Sequence, residues 1–389
     1  MRYTEDEIRQ YVIEEDVKFL RLAFCDVYGK QKNISIQLDE LERAFEYGIA
    51  FDASAVPGFG SEIHSDLFLQ PDTGTLCVLP WRPDHGRVVR MFCNILHPDG
   101  TPFASDTRRV LQNAVDAAAE RGISFSFGSE MEFYLFQRDE NGEATRVPYD
   151  RAGYMDIAPE DKGENIRREI CLTLSQMGIR PECSHHEQGP GQNEIDFRYS
   201  DPMAAADNAL TFRAVVNTIA VQSGLAADFS PKPLPGQPGN GMHINISARS
   251  RDGRDVMPQV IAGILAHIAE MTVFFNTTEA SYQRFGSSKA PRYISWSSQG
   301  QIPPGRAALA GSALQPVSGL CAADSCRAGR HQKEFAAAGG RGYQLLYRAG
   351  VRQIEIPDAS RNALCGESRR SGESLPGGAA ARGASPELH

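Results

Sequence analysis

The sequence predicts an α+β protein, with a small strand-rich N-terminal domain followed by a larger region mixing strands and helices. Three observations lead there. Residues 17–25 (VKFLRLAFC) alternate with the two-residue period of a half-buried strand. Tyr28-Gly29-Lys30 supplies a turn into a second such run near residues 32–36. Extended helical patterns begin only after His97-Pro98-Asp99-Gly100, which closes the strand-rich part.

The elements follow in order. Thr4 with Glu7 makes a capping box ahead of a short helix over residues 5–14. Residues 75–79 and 88–95 are two further strands separated by the loop 80–86. A helix over 106–121 opens the larger region. Strands are expected there at 124–137, 194–199 and 243–247, and helices at 164–177 and 202–224. No internal repeat is present. The expected division is 1–103, 104–300 and a divergent tail, 301–389.

The 389 residues carry 40 basic and 49 acidic side chains, a net charge of −9. That balance argues against nucleic acid as the main partner, because a phosphate backbone attracts a basic face. No apolar run is expected to reach the ~20 residues of a membrane-spanning helix. The start, MRYTEDEIRQ, lacks the basic and apolar regions of a secretory signal. Eight cysteines without a CxxC pair read as reduced thiols, so a cytoplasmic setting is expected.

The composition breaks near residue 300. Of the 33 aromatic residues only Phe335, Tyr343 and Tyr347 fall in the last 89, which hold ten Arg, one Lys, 17 Ala and 13 Gly. Few large apolar side chains make such a tail poor at forming a core, and an irregular segment is expected.

Three segments carry chemistry. Glu130 and Glu132 sit in the strand-like FSFGSEMEFYLF, where positions i and i+2 project from one face. Phe127, Phe133, Tyr134 and Phe136 flank them and suggest a half-buried setting. Paired carboxylates on a partly dry surface repel unless a cation sits between them. An isolated ExE is also compatible with a solvated strand face. In HHEQGPGQNEID, a Gly/Pro loop separates Glu187 from Glu194 and can fold both carboxylates toward one point; a polar surface hairpin is the plainer reading. In GNGMHINIS, His243, Asn245 and Ser247 share one strand face, although a strand histidine is often purely structural. Four glutamates and one imidazole suit Mg²⁺ or Mn²⁺ better than zinc. Neither a GxxxxGK[ST] loop nor a GxGxxG turn is present to cradle phosphate instead. The residues alone thus reach a divalent-metal site for phosphoryl chemistry.

Taken together, AFDASAVPGF, PDGTPFASD, GSEMEFYLF, HHEQGPGQNEIDFRY, PKPLPGQPGNGMHINIS and NTTEASYQRFGSSKAPRYISWS resemble glutamine synthetases of the bacterial class I type over nearly all of residues 1–300. The resemblance implies an N-terminal β-grasp domain, a catalytic domain with a curved antiparallel sheet, and a homo-oligomer, a dodecamer of two stacked hexameric rings. It implies that Glu132, Glu187 and Glu194 hold one metal and that Glu130 and His243 hold the second. It assigns Asp52, from a neighbouring subunit, to ammonium, and the Gly239 backbone and Arg284 to the glutamate substrate. Asn245 and Ser247 fall where the family contacts the nucleotide, although many relatives carry histidine at the position of Asn245. The implied reaction joins ammonia to glutamate through a γ-glutamyl phosphate made from ATP, with Mg²⁺ or Mn²⁺ as cofactor. A synthetase-like ligase for a larger amine and a catalytically impaired homologue are the alternatives.

Two departures accompany the resemblance. The flap position that usually holds glutamate before Ala-Pro is Lys289, a charge that would repel ammonium. The resemblance stops near Gln299, and the phosphate-binding arginines and last metal-ligating glutamate expected downstream are missing. The tail reads as an out-of-frame translation. Back-translating residues 315–331 (QPVSGLCAADSCRAGRH) and moving one nucleotide forward permits NPYLAFALLILAGLDGI, the helix the family carries there.

Overall fold

The computed structural model describes residues 3–59, 65–82, 85–285 and the strand Ala308–Ala310. Lys289 and the rest of the tail lie outside the described residues.

The N-terminal domain comprises α1 (Glu5–Glu14), β1 (Val17–Cys25), β2 (Gln31–Gln37), α2 (Leu41–Glu46), β3 (Ile49–Asp52), β4 (Asp66–Pro71), β5 (Cys77–Val78) and β6 (Arg87–Leu96). The Thr4–Glu7 capping box forms reciprocally at the start of α1. The strands run β2-β1-β6-β4-β3, with β5 on β6. The β1–β6 pair is parallel and its neighbours are antiparallel, the mixed sheet of a β-grasp domain. Ile8 and Val12 of α1 pack against Leu20, Leu22, Leu69 and Met91. The expected strand 75–79 is cut to two residues. The Asp72 side chain accepts from Gly74 N and starts a tight turn over Thr73–Thr75, which uses up the backbone that a longer strand would pair.

The second domain comprises α3 (Thr107–Glu120), β7 (Ile123–Arg138), β8 (Ala144–Pro148), α4 (Glu164–Gln176), β9 (Pro181–His186), β10 (Gln192–Phe197), α5 (Pro202–Gln222), β11 (Leu225–Asp228), β12 (Met242–Ser250), α6 (Met257–Phe275), α7 (Glu279–Tyr282) and β13 (Ala308–Ala310). Its sheet runs β13-β12-β7-β10-β9, with β8 and β11 also on β7, and every pairing is antiparallel. The sixteen-residue β7 is therefore the hub. Its odd-numbered Phe125, Phe127, Met131, Phe133 and Leu135 join Ile195, Phe197, Ile244 and Ile246 in a core shared with α3 to α6. Its even-numbered side chains face the other way.

That parity corrects one expectation: Phe127 and Phe133 lie on the helix-packed face, and only Tyr134 and Phe136 share the face of Glu130 and Glu132. A second correction concerns α6, whose 19 residues are long and apolar enough for a membrane span by length and composition. Gln259, His267 and Glu270 interrupt the apolar run and hid it from a contiguous scan. In the fold, Val260, Ile261, Ile264, Met271 and Phe275 pack into the core beside β12. The strand β13, inside the expected irregular tail, pairs its Ala310 with His243.

The two domains are joined by a buried cation. Arg108 is 3% exposed and bridges Asp72 of the first domain, at 2.7 Å, and Asp207 of α5. Arg90 donates to Thr211 Oγ1 at 3.0 Å and stacks on Phe92, its guanidinium 4.0 Å from the ring centroid.

Candidate active site

Strand register assembles the site. Glu130 of β7 lies opposite His243 of β12 on one side and Asp196 of β10 on the other. Glu132 lies opposite Glu194, which in turn lies opposite His185 of β9. Because side chains alternate, all of these project from the face turned away from the helices. Glu130 Oε2 and His243 Nδ1 are 3.0 Å apart, and their ligand atoms group with Glu194 within 4.8 Å. Glu187 joins Glu194 and His185 in a second such group. A Cβ on Gly241 would fall 2.8 Å from Glu132 Oε1 and 2.9 Å from His243 Nε2, so both groups close over this glycine. The five expected ligands, Glu130, Glu132, Glu187, Glu194 and His243, thus meet on one surface.

The electrostatics are those of crowded carboxylates. Burial, then the neighbouring Glu132, Asp196 and Glu187, push the Glu194 carboxyl up to about 10. Burial also raises Glu132 and Asp196. His243 loses hydration, which disfavours its charged form, but the Glu130 hydrogen bond and the charge of Glu132 outweigh that and raise its pKa. Such an oxygen-rich set with one or two imidazoles fits a hard divalent cation, which would relieve the repulsion that keeps Glu194 protonated.

The remaining expected residues divide. Gly239 leaves no room for a side chain: a Cβ would sit 2.4 Å from Pro231 O and 2.9 Å from Arg284 Cγ. Arg284 is buried beneath that loop and donates to Asn240 O at 2.8 Å, Asn276 Oδ1 at 2.6 Å and Ser281 O at 3.2 Å. Burial pushes its pKa down to about 10, so it stays cationic at neutral pH. Asn245 donates to Glu130 Oε1 at 2.5 Å, so its amide here orients a carboxylate. Ser247 follows on the same strand face, opposite Ser126. Asp52 stands apart on the other sheet, exposed, accepting from Ser54 N and Oγ at 2.9 and 2.6 Å.

Several participants were not singled out in the sequence. His185 Nε2 lies 3.6 Å from Glu194 Oε2, and Tyr154 meets the His185 ring edge-on at 5.4 Å. Cys183 Sγ donates to Asp196 Oδ2 at 2.6 Å, and burial together with that carboxylate pushes the thiol up to about 12. Gln192, two positions before Glu194, shares its face; the two-residue period alone could have found it. Behind the loop, His186 reaches Asp150 Oδ1 at 2.8 Å and Glu187 O at 2.6 Å. Burial disfavours the charged ring, yet Asp150 outweighs it and holds His186 above its ordinary range. Arg167 pairs with Asp161 at 2.5 Å and donates to Asn193 Oδ1 at 2.6 Å. A guanidinium thus already neutralises the Asp150–Asp161–His186 group, which otherwise has metal-ligand spacing.

A β-grasp sheet followed by a carboxylate-lined antiparallel sheet defines a class of metal-dependent ligases, and the comparisons agree. The glutamine synthetase beta-Grasp domain model matches residues 16–98, and the glutamine synthetase catalytic domain model matches residues 104–308. The chain belongs to the glutamine synthetase family. Over 310 residues it is 44% identical to the glutamine synthetase of Clostridium saccharobutylicum, covering 76% of this chain and 70% of that one. It is 43% identical to that of Methanosarcina mazei over 310 residues, covering 76% and 69%. The Plasmodium falciparum glutamine synthetase structure superimposes with a TM-score of 0.74 at 21% identity, covering 84% of this chain and 74% of the other, a likeness of fold. The family assignment carries glutamine-synthetase-type ligase chemistry, that of a glutamate–ammonia ligase.

Proposed function

We propose that this protein is a cytoplasmic homo-oligomer that ligates ammonia to the γ-carboxylate of L-glutamate at the expense of ATP, releasing glutamine, ADP and phosphate. The observation that carries the reading is the convergence of Glu130, Glu132, Glu187, Glu194 and His243 on one sheet face beside the Gly239 loop. Glu132, Glu187 and Glu194 would hold one divalent ion, Mg²⁺ or Mn²⁺, and Glu130 with His243 a second. These ions, when bound, supply the positive charge that phosphoryl transfer between two anions requires.

The chain's own groups do the rest. Without a Cβ, Gly239 packs directly against Pro231 O and Arg284, and its backbone would meet glutamate beside that guanidinium. Arg284 spends three N–H donors on Asn240, Asn276 and Ser281, and two of its five remain for the substrate carboxylate among the described residues. Asn245 fixes Glu130, and Ser247 offers a hydroxyl to the nucleotide from the same face. Asp52 holds ammonium from a neighbouring subunit; hydrogen bonds from Ser54 keep its carboxyl below the usual range and therefore anionic. The glutamate γ-carboxylate attacks the terminal phosphoryl group and ADP leaves; ammonium gives up one proton to solvent, and the resulting ammonia displaces phosphate from the acyl phosphate with loss of a second proton. No protein nucleophile takes part, so orientation and electrostatics carry the rate.

Phosphate and glutamine formation from glutamate, ATP and ammonia tests this reading. Phosphate release that persists without glutamate, or that responds to larger amines and not to ammonia, overturns it. Because the catalytic-domain match ends at residue 308, turnover is expected of a version with the tail returned to the alternative frame and not of the chain as written.

A further inference from the structure

One buried side chain ties the metal ligands to the substrate loop. Gln192 is 0% exposed, at the start of β10, two residues before Glu194 on the same face. Its Nε2 donates to Glu132 Oε2 at 2.7 Å and to Gly239 O at 3.1 Å, with Asn240 Oδ1 at 3.5 Å. Its Oε1 accepts from Gly189 N at 2.9 Å, and its backbone carbonyl accepts from Glu187 N at 2.8 Å. One amide therefore touches three segments far apart in sequence: β7, the Glu187–Gly191 loop and the Gly239–Asn240 loop. Asn240 is equally buried and donates to Asp228 O and Ser230 O, while Arg284 clamps its carbonyl.

The chemistry of this slot is specific to an amide. A carboxylate there could donate to neither Glu132 nor the Gly239 carbonyl, and an ammonium or guanidinium could not accept from Gly189. Buried hydrogen bonds to a charged carboxylate have directional force and are costly to leave unmade. Pulling Glu132 toward an ion therefore loads the amide whose nitrogen also holds the Gly239 carbonyl.

We propose that Gln192 is a positioning residue that couples metal binding at Glu132 to glutamate binding at Gly239, so that each ligand tightens the other. The proposal rests on the reading of Glu132 as a metal ligand and Gly239 as a glutamate contact. Coupling of this kind is reciprocal by thermodynamic necessity.

Titration of the full chain with Mn²⁺, followed by electron paramagnetic resonance with and without saturating L-glutamate, measures it. In the wild type, glutamate tightens Mn²⁺. Gln192→Met keeps length and apolar packing but donates nothing. It is expected to weaken Mn²⁺ by about tenfold or more, the usual scale for losing a partner that orients a ligand, and to abolish the glutamate effect. A purely structural role would lower affinity equally in both conditions and leave their ratio intact, and that result overturns the proposal. A wild type that binds Mn²⁺ without responding to glutamate overturns the coupling and spares the metal site. A wild type that binds no Mn²⁺ overturns the site and the coupling together. Should Gln192→Met lose the folded circular-dichroism spectrum, Gln192→Asn carries the test. It keeps an amide in the slot, falls one carbon short of Glu132, and should lose the same ratio.

Discussion

Glu194 holds its proton at neutral pH because burial and three neighbouring carboxyl groups favour the neutral form. Its folded pKa, about 10, exceeds the ordinary 4.5, so the folded state binds the proton more tightly than the unfolded chain does. Its contribution to stability is therefore complete below the ordinary value and is lost as pH rises toward the folded value. The metal-free protein should melt at progressively lower temperature between those limits, with Mn²⁺ abolishing the slope. At pH 7, binding should release at least one proton per site, because a ligating carboxylate must be deprotonated and a ligating imidazole neutral. Calorimetry in buffers of different ionisation enthalpy measures that proton; an unchanged heat across buffers would sink the assignment. Gly241 gives a second test at this scale. Gly241→Ala places a methyl carbon against Glu132 and His243, and it should cost metal affinity while the far-ultraviolet spectrum stays native.

At the scale of elements, legibility in the sequence followed locality. The Thr4–Glu7 box and the Asp106 cap on α3 are satisfied within a few residues, and the alternation along β7 needs no partner to be visible. The short strands β3, β8, β9 and β11 are too brief to show a period and are defined by what they pair with, which for β11 lies far back along the chain, so their own residues say little. The carboxylates were readable because their parity is local, and the same parity puts Gln192 on their face; what Gln192 and His185 do there was hidden because it depends on which segment lies opposite. The Arg108 joint was equally hidden, since Asp72 and Asp207 are 36 and 99 residues away. Arg108→Met leaves buried Asp207 without its hydrogen-bonded cation, with only the charge of Arg90 still acting on it, and should destabilise the fold by about 3 kcal/mol, the low end of the usual cost of breaking a buried pair from one side. Denaturant unfolding at neutral pH gives that number. A loss below about 1 kcal/mol, the scale of an exposed ion pair, would mean the joint is solvated.

For the molecule as a whole, the chain as written and the site it builds are at odds. The described residues gather one set of ligands, whereas the arginines and last glutamate implied by the resemblance have no counterpart after Gln299. The chain as written is therefore expected to bind Mn²⁺ yet form negligible glutamine, and the frame-restored version to turn over; ordinary rates from the written chain would refute this. Resequencing codons 285–335 bears on the same point, since an intact read of the present tail removes the frame explanation. The sixteen-residue hub strand sets a further rule for how this protein can change. Gaining or losing a single residue within β7 would rotate every later side chain by half a turn, sending carboxylates among the phenylalanines and phenylalanines toward the ions. Two residues would restore the phase. Length variation in this strand should therefore be tolerated only in even steps, while the loops on either side can vary freely.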